Sequence, residues 1–190
     1  MKYFNLSELV KSATAERLAI DNTPPRAAQR MLTILVEQLL DPIRRRYGAP
    51  IIVTSGYRCP ALNTAVGGVA NSHHIVGCAA DIVGKTPSND SQCEHQRTEG
   101  VCRVGASNLA LFHLIVQMQR EGTIRFTQLI AEEGYRWLHI SYVPGMLRNQ
   151  VIDVNDRIND DDNDNVNHPS GRQLSSTSAL TLKKGYQDSG

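Results

Sequence analysis

An α+β fold is the class that this sequence fits, because helical patterns come first along the chain and short strand patterns are scattered after them. Apolar residues between Met31 and Ile43 recur at steps of three and four, which is typical of one face of a long helix. Short β-branched or apolar runs bounded by turn residues follow at 51–54 and 78–83. Two further runs nearer the C-terminus complete the pattern.

The helix start and stop signals define two N-terminal helices. Asn5 precedes Glu8 by three residues, an arrangement that suits the capped start of a short first helix. Thr23 can act as the N-cap of the long helix, with Pro24 at its first position. Gly48 supplies a stop signal after the last apolar position.

Each of the first two strand patterns carries or leads into a residue that could take part in binding or catalysis. The strand predicted at 51–54 leads directly into Ser-Gly-Tyr and then Arg58, and residues 60–66 can form a short helical turn. The strand predicted at 78–83 carries Asp81 near its middle.

The second half of the domain is predicted to hold one helix and a hairpin. Residues 84–105 resemble a surface loop, and a helix should open at Ser107 or Asn108. The strand patterns at 125–131 and 136–142 are joined by turn-like residues, so that an antiparallel hairpin is the simplest pairing.

Length and charge favour one domain with an appended tail. The chain has 190 residues, with 20 Lys and Arg against 19 Asp and Glu, so no strong field of either sign attracts nucleic acid or an anionic membrane. Residues 1–153 form the predicted domain, and the Asn- and Asp-rich residues 154–190 form a tail that we expect to be disordered unless a partner orders it. The N-terminus lacks the layout of a secretory signal, which predicts a protein made in the cytoplasm.

The cysteines do not indicate a disulfide scaffold. The chain has 4 of them, too few and too unevenly spaced for the framework of a small secreted domain. Cys93, His95 and Cys102 are one ligand short of a structural metal site, so a loop disulfide or free thiols is the simpler interpretation.

Two imidazoles and one carboxylate form the candidate metal site. His74 and Asp81 lie seven residues apart across a glycine turn, and His139 lies inside an apolar strand where Val or Ile would be usual. A single histidine in a strand is more often a packed or surface residue, but the three together indicate a site. Three ligands that leave a fourth position open are typical of catalytic rather than structural zinc. His73, next to His74, is read as a neighbour or a substrate-side residue that faces the other way if the backbone is extended.

Residues 4–141 resemble the M15 family of zinc peptidases, which includes D-Ala-D-Ala carboxypeptidases and endolysin-like L-Ala-D-Glu endopeptidases, and particularly its small phage-associated branch. The similar segments are Ser-Gly-Tyr-Arg at 55–58, Ser-x-His-x-x-Gly-x-Ala-x-Asp at 72–81, Gln-Leu-Ile-x-Glu at 128–132 and Trp-x-His-x-Ser at 137–141. Their order and separations make the resemblance specific, although any one segment would be weak.

The resemblance implies a fold and a set of roles. Helices should pack on one side of a small, mainly antiparallel sheet, with zinc in a cleft on its open face. His74, Asp81 and His139 would be the zinc ligands, and Arg58 would meet a carboxylate or carbonyl of the substrate. Many relatives carry an acid three residues before the last histidine, where this chain has Arg136. The general base is therefore assigned to Glu132, with Glu133 as the fallback.

Plainer interpretations remain open for the residues around the ligands. Arg58 can be an exposed charge or the partner of an acidic side chain. Ser72 can cap a turn or donate to the substrate. Trp137 can pack in the core beside the site or line the substrate groove.

The expected activity is hydrolysis of an amide bond in peptidoglycan stem or cross-link peptides, with no role for nucleic acid or membrane. The resemblance favours a bacteriophage lysin or a virion-associated enzyme that acts in the periplasm or cell wall after lysis or entry. The alternative is a non-catalytic, zinc-stabilised binding or assembly module whose tail docks on a virion protein. A zinc hydrolase that acts on other peptides is a third possibility, and the bond that is cut stays open.

Overall fold

The structure, a computed structural model, describes residues 1–85 and 103–155, and within these the side chains of 103–106 and of Glu133 are left out. Most of the predicted surface loop, the Cys93, His95 and Cys102 set and the tail after 155 lie outside the described residues. Within the described part, no helix has both the length and the apolar character that a membrane span requires.

The predicted helices and strands occur in the predicted order, and the structure adds one short helix and one strand that the sequence patterns did not indicate. The helices are α1 (Leu6–Val10), α2 (Ala13–Arg17), α3 (Arg26–Leu35), α4 (Asp41–Tyr47), α5 (Pro60–Ala65) and α6 (Arg103–Arg120), with a π-helical turn at Val36–Leu40 between α3 and α4. The strands are β1 (Ile51–Ser55), β2 (Ala79–Gly84), β3 (Gln128–Ala131), β4 (Leu138–Ser141) and β5 (Gln150–Asp153), with a 3-10 turn at Glu133–Tyr135 between β3 and β4.

The predicted long helix is present as α3, the π-helical turn and α4 in direct succession, but its start was placed wrongly. The N-cap is Pro25 and not Thr23, and no side chain caps this end. Pro24 precedes another proline, which disfavours the helical conformation at Pro24 and delays the first turn. The other end is as predicted, since α4 stops at Gly48 in the left-handed conformation with φ of 76°.

The five strands form one sheet in the order β1-β2-β4-β3-β5. All neighbours are antiparallel except β3 and β5, which confirms a mainly antiparallel sheet. The predicted hairpin is β3 and β4, in which Leu129 lies opposite Ile140. Strand β5 was missed, because it is a short edge strand whose first two residues are exposed and whose pattern does not alternate.

One face of the sheet packs in the hydrophobic core, and the other carries the candidate site residues. Side chains alternate between the faces of a strand, so that residues two apart share a face. One face belongs to the same buried cluster as the helices, through Ala80, Ile82, Leu129, Leu138 and Ile140. The opposite face carries Asp81 on β2 and His139 on β4. Helices on one side and an open polar face on the other are the arrangement that the resemblance implied.

Helix α6 begins at Arg103, four residues before the earlier of the two predicted caps. Asn108, read as a possible cap, is instead fully buried inside the helix. Its Oδ1 accepts from the Gly84 N–H at 2.8 Å, and its Nδ2 donates to the carbonyl oxygens of Tyr135 at 2.8 Å and Arg136 at 3.1 Å. The amide therefore ties α6 to the end of β2 and to the hairpin turn.

Candidate metal centre

Asp81 and His139 are brought together by strand pairing. Asp81 lies directly opposite His139 in the antiparallel ladder between β2 and β4. Side chains of directly opposed residues leave the same face with Cβ atoms about 4.5–5.5 Å apart. His74 reaches the pair from the turn that precedes β2, where the Cys78 N–H donates to the His73 carbonyl at 2.9 Å.

The three side chains converge on one point. Asp81 Oδ1 lies 3.2 Å from His74 Nε2 and 3.0 Å from His139 Nδ1, and the two imidazole nitrogens are 3.2 Å apart. His74 is 2% exposed and Asp81 is 7% exposed, so that little water competes for these atoms. Among the described residues this is a group of side chains that could hold a metal ion.

The backbone selects the tautomer of His74. Its Nδ1 lies 2.6 Å from the Gly56 carbonyl oxygen, which can only accept a hydrogen bond, so Nδ1 donates and Nε2 presents a lone pair to the cluster. A backbone carbonyl that orients a metal-binding imidazole is a common outer partner in metal sites. Gly56 has no room for a side chain, because a Cβ there would lie 2.2 Å from the Leu9 carbonyl oxygen.

Arg58 holds the second oxygen of Asp81. Its Nη2 donates to Asp81 Oδ2 at 2.5 Å, and its Nε donates to Ser55 Oγ at 2.8 Å. Asp81 Oδ2 is thus occupied while Oδ1 faces the imidazoles. Burial by itself raises the pKa of Asp81, but the hydrogen bonds with His139 and His74 and their charges outweigh it and hold that pKa well below its usual range.

The donor set fits zinc. Two imidazole nitrogens and one carboxylate oxygen are ligand types that zinc prefers. In a tetrahedron with zinc bonds of about 2.0–2.2 Å, ligand atoms lie roughly 3.3–3.6 Å apart. The observed separations of 3.0–3.2 Å are slightly smaller, so small side-chain shifts suffice.

The cluster lies in a cleft of about 630 Å³, which also contains every other site residue predicted from the sequence. Beside the three donors, these lining residues are Arg58, Ser72, Glu132 and Trp137. Glu132 follows β3 directly, and its N–H donates to the Trp137 carbonyl at 3.2 Å across the hairpin. The hairpin thus places the predicted base on a wall of the cleft that holds the histidines.

Three neighbours show more specific contacts. Ser72 Oγ accepts from the His74 N–H at 3.3 Å, which is the capping contact considered for it. Trp137 is partly exposed on the cleft wall, with the Arg136 guanidinium 5.4 Å from its ring centroid. His73 lies in a turn, so the condition of extended backbone under which it would face away from His74 is not met, and both residues line the cleft.

The pKa of His73 is lowered, first by burial and then by the charges of His139, Arg148 and His74.

Cys59 and Cys78 are free thiols, and the other two cysteines lie outside the described residues. Burial raises the pKa of the Cys78 thiol, which makes it a poor nucleophile.

Sequence reasoning missed Arg148 and did not use Gln128 as a site residue, although both line the cleft. Gln128 is the first residue of β3, on the face of His139. Arg148 lies in the connection between β4 and β5, and with β5 unpredicted no signal placed that connection near the site. Neither residue belongs to a spacing pattern that identifies it alone.

An α+β fold with a two-histidine, one-carboxylate cluster in an open cleft belongs to a class of proteins equipped to bind a metal ion next to a substrate. The chain belongs to the Peptidase M15 family, whose family model matches residues 2–113. The matched segment contains Arg58, His74 and Asp81, whereas Glu132 and His139 come after it. A comparison with curated protein sequences found no matching relative. The chain is therefore a peptidase by family.

Proposed function

We propose that this protein is a zinc-dependent peptidase that hydrolyses amide bonds in peptidoglycan peptides. The observation that carries the proposal is the convergence of His74, Asp81 and His139 on one point in a cleft whose wall includes Glu132. Zinc, when bound by these three residues, supplies Lewis acidity that polarises a scissile carbonyl and makes water more acidic.

The residues of the chain divide the remaining tasks. The Gly56 carbonyl orients His74, and Arg58 keeps Asp81 Oδ2 away from the cluster. Glu132 accepts a proton from the water whose oxygen attacks the carbonyl carbon, and it delivers that proton to the amine nitrogen as the C–N bond breaks. One water is consumed, and one carboxylate and one amine are formed.

The substrate class follows from the resemblance to carboxypeptidases and endopeptidases of the bacterial wall. We place the protein among wall-degrading enzymes of the small phage-associated branch, acting on stem or cross-link peptides in the periplasm or cell wall. We assign this activity to residues 1–153 and propose that residues 154–190 bind a virion or other protein partner. The position of Glu132 on the wall of the same cleft supports an enzyme over a non-catalytic, zinc-stabilised assembly module, which has no use for a general base in that cleft.

The test is incubation of purified muropeptides with zinc-loaded protein, followed by mass spectrometry of the products. We expect hydrolysis by the wild-type chain, loss of hydrolysis in the presence of a chelator, and an approximately 100-fold or greater slowing in Glu132→Gln. Glu16→Gln, a matched change at an exposed position outside the cleft, should leave the rate unchanged.

Two results would count against parts of the proposal. If the zinc-loaded wild-type chain leaves every muropeptide intact, the peptidoglycan assignment is wrong and other peptides must be tried. Should Glu132→Gln retain the full rate, the base is another residue, and Glu133→Gln is the next variant to measure. The mass of the products identifies the bond that is cut.

A further inference from the structure

The cleft is lined by two arginines, and among the residues that the structure describes only Arg58 has an ion-pair partner. Two of the three nitrogens of the Arg58 guanidinium donate to Asp81 and Ser55, and its side chain is 17% exposed. The positive charge of Arg58 is therefore balanced by Asp81 before any substrate arrives. A second carboxylate at Arg58 would compete with Asp81 for the same guanidinium.

Arg148 differs from Arg58 both in its exposure and in its pairing. It lines the same cleft and is exposed. Within residues 1–85 and 103–155, no hydrogen bond or ion pair engages its guanidinium, and its backbone N–H donates to the Met146 carbonyl at 2.9 Å. A cation that faces a cleft without a protein partner is suited to a ligand anion.

The sheet places the two arginines at opposite ends of the cleft. Arg58 follows edge strand β1, and Arg148 precedes edge strand β5. The candidate ligands Asp81 and His139 lie between them on β2 and β4. Although the arginines lie at opposite edges of the sheet, they lie at the same end of its strands. Ser55, at the end of β1, pairs with Asp81 near the start of β2. Gln128, at the start of β3, pairs with Ser141 at the end of β4 and with Gln150 at the start of β5.

The backbone beside Arg148 is held in place. Asn149 has φ of 52°, a left-handed conformation that asparagine tolerates better than most residues. Its side-chain Oδ1 accepts from the Phe126 N–H at 2.9 Å, and its own N–H donates to the Phe126 carbonyl at 2.8 Å. These two bonds fix the start of β5, so that Arg148 leaves the chain from a defined point.

We propose that Arg148 binds a carboxylate of the substrate at the β5 end of the cleft and so selects peptides that carry a free carboxylate near the scissile bond. The inference rests on the proposed peptidase function. The planar fork of a guanidinium matches the two oxygens of a carboxylate, and this pairing is stronger than a neutral hydrogen bond. Arg58 then acts as a positioning residue for Asp81, and Arg148 supplies recognition.

The test compares two forms of one stem pentapeptide that ends in D-Ala-D-Ala, one with free carboxylates and one with all carboxylates amidated. KM is measured for each form, or an inhibition constant where a form binds without being cut. We expect Arg148→Gln to weaken binding of the free acid about 10–100-fold, with kcat little changed and the amidated peptide unaffected. Arg148→Lys should retain part of the selectivity, and Arg30→Gln, at an exposed position outside the cleft, should have no effect.

The outcomes separate this inference from the function on which it rests. Equal weakening of both peptides, or none, overturns the role of Arg148, and circular dichroism of the variant shows whether the fold has been lost. If the wild-type chain cuts neither peptide, the proposed substrate fails, and calorimetric binding of the two forms to the zinc-loaded protein decides the role of Arg148 independently. Binding of the free acid that is no tighter than that of the amide then overturns it.

Discussion

At the scale of single residues, the centre depends on the different surroundings of the two oxygens of Asp81. Oδ1 lies near both imidazoles and Oδ2 is held by Arg58. A buried carboxylate is costly unless all of its lone pairs find partners. The ion pair with Arg58 therefore stabilises the charged form of the ligand and also fixes its orientation.

Replacing Arg58 with Met keeps an unbranched chain about as long as the stem of the arginine and removes both of its side-chain hydrogen bonds. Because Asp81 loses the partner of Oδ2, we expect zinc affinity to fall by about 10–100-fold, as for outer partners in other metal sites. Competition with a chromophoric chelator measures this affinity without any substrate. An unchanged affinity would show that Arg58 does not orient Asp81.

Asp153 provides a pH-dependent prediction away from the centre. Burial raises the pKa of Asp153, but hydrogen bonds from Tyr135 and Asn155 outweigh it, and the pKa lies below its ordinary value of 3.8. A lowered pKa stabilises the fold above 3.8, and the contribution is lost as the pH falls through the folded-state pKa.

We expect Asp153→Asn to lower the free energy of unfolding at pH 7 by about 1 kcal/mol, a small value because the pair is partly solvated. The difference from wild type should shrink towards pH 3. Urea unfolding at both pH values measures it, and a constant difference would contradict the argument.

At the scale of elements, the turn before β2 depends on the glycine at position 77. Gly77 has φ of 74°, and a Cβ there would lie 2.5 Å from the Ala28 carbonyl oxygen. The turn thus packs directly on α3 while it presents His74 to the sheet. Its geometry depends on a glycine for two independent reasons, the backbone conformation and the close approach of α3.

Gly77→Ala tests that close approach against a matched control. Gly122 has φ of 73° and open space around its Cβ position, so Gly122→Ala should cost only the left-handed penalty of about 1–2 kcal/mol. Gly77→Ala should cost a further 1–3 kcal/mol, roughly, from overpacking. Chemical denaturation measures both variants, and equal losses would show that α3 can move away. Zinc affinity should fall in Gly77→Ala alone, because His74 lies in the same turn.

At the scale of the whole molecule, the candidate ligands connect parts of the chain that are distant in sequence. His74 and His139 are separated by 65 positions and share one point. Because a metal ion binds the folded arrangement and not the dispersed ligands of the unfolded chain, zinc should stabilise the entire fold.

Thermal unfolding with and without zinc measures this linkage. Free zinc at 100 times its Kd should add about 2.7 kcal/mol. That increment corresponds to a rise in Tm of roughly 5–10 °C for a chain of this size. His139→Ala should abolish most of the rise, and a full rise in that variant would place the bound zinc elsewhere.

The end of the folded domain can be located by truncation. A chain that stops after Asn155 keeps β5 and the Asn155 side chain, whose Oδ1 accepts from the Gly134 N–H at 2.7 Å. We expect it to unfold cooperatively with nearly the stability of the full chain. A chain that stops after Asn149 leaves β3 without its outer neighbour and should lose several kcal/mol of stability, roughly, in the same denaturation experiment.

The sequence by itself determined the long helix, the first two strands, the hairpin and the identity of the converging residues. These features depend on local periodicity, on turn residues and on a motif order shared with the family. The starts of helices were less predictable. The long helix has its N-cap at Pro25 and not at Thr23, and Asn108 is a buried residue that hydrogen-bonds to Gly84 and not a helix cap.

Only the tertiary structure decided how the charged groups are paired. Arg58 could have been read as free or as bound to any acid, and its pairing with Asp81 follows from strand register. Neither edge strand β5 nor the position of Arg148 in the cleft could be predicted from the sequence, because both depend on which strands become neighbours. Pairing between distant segments is set by packing of the whole sheet, and no local pattern encodes it.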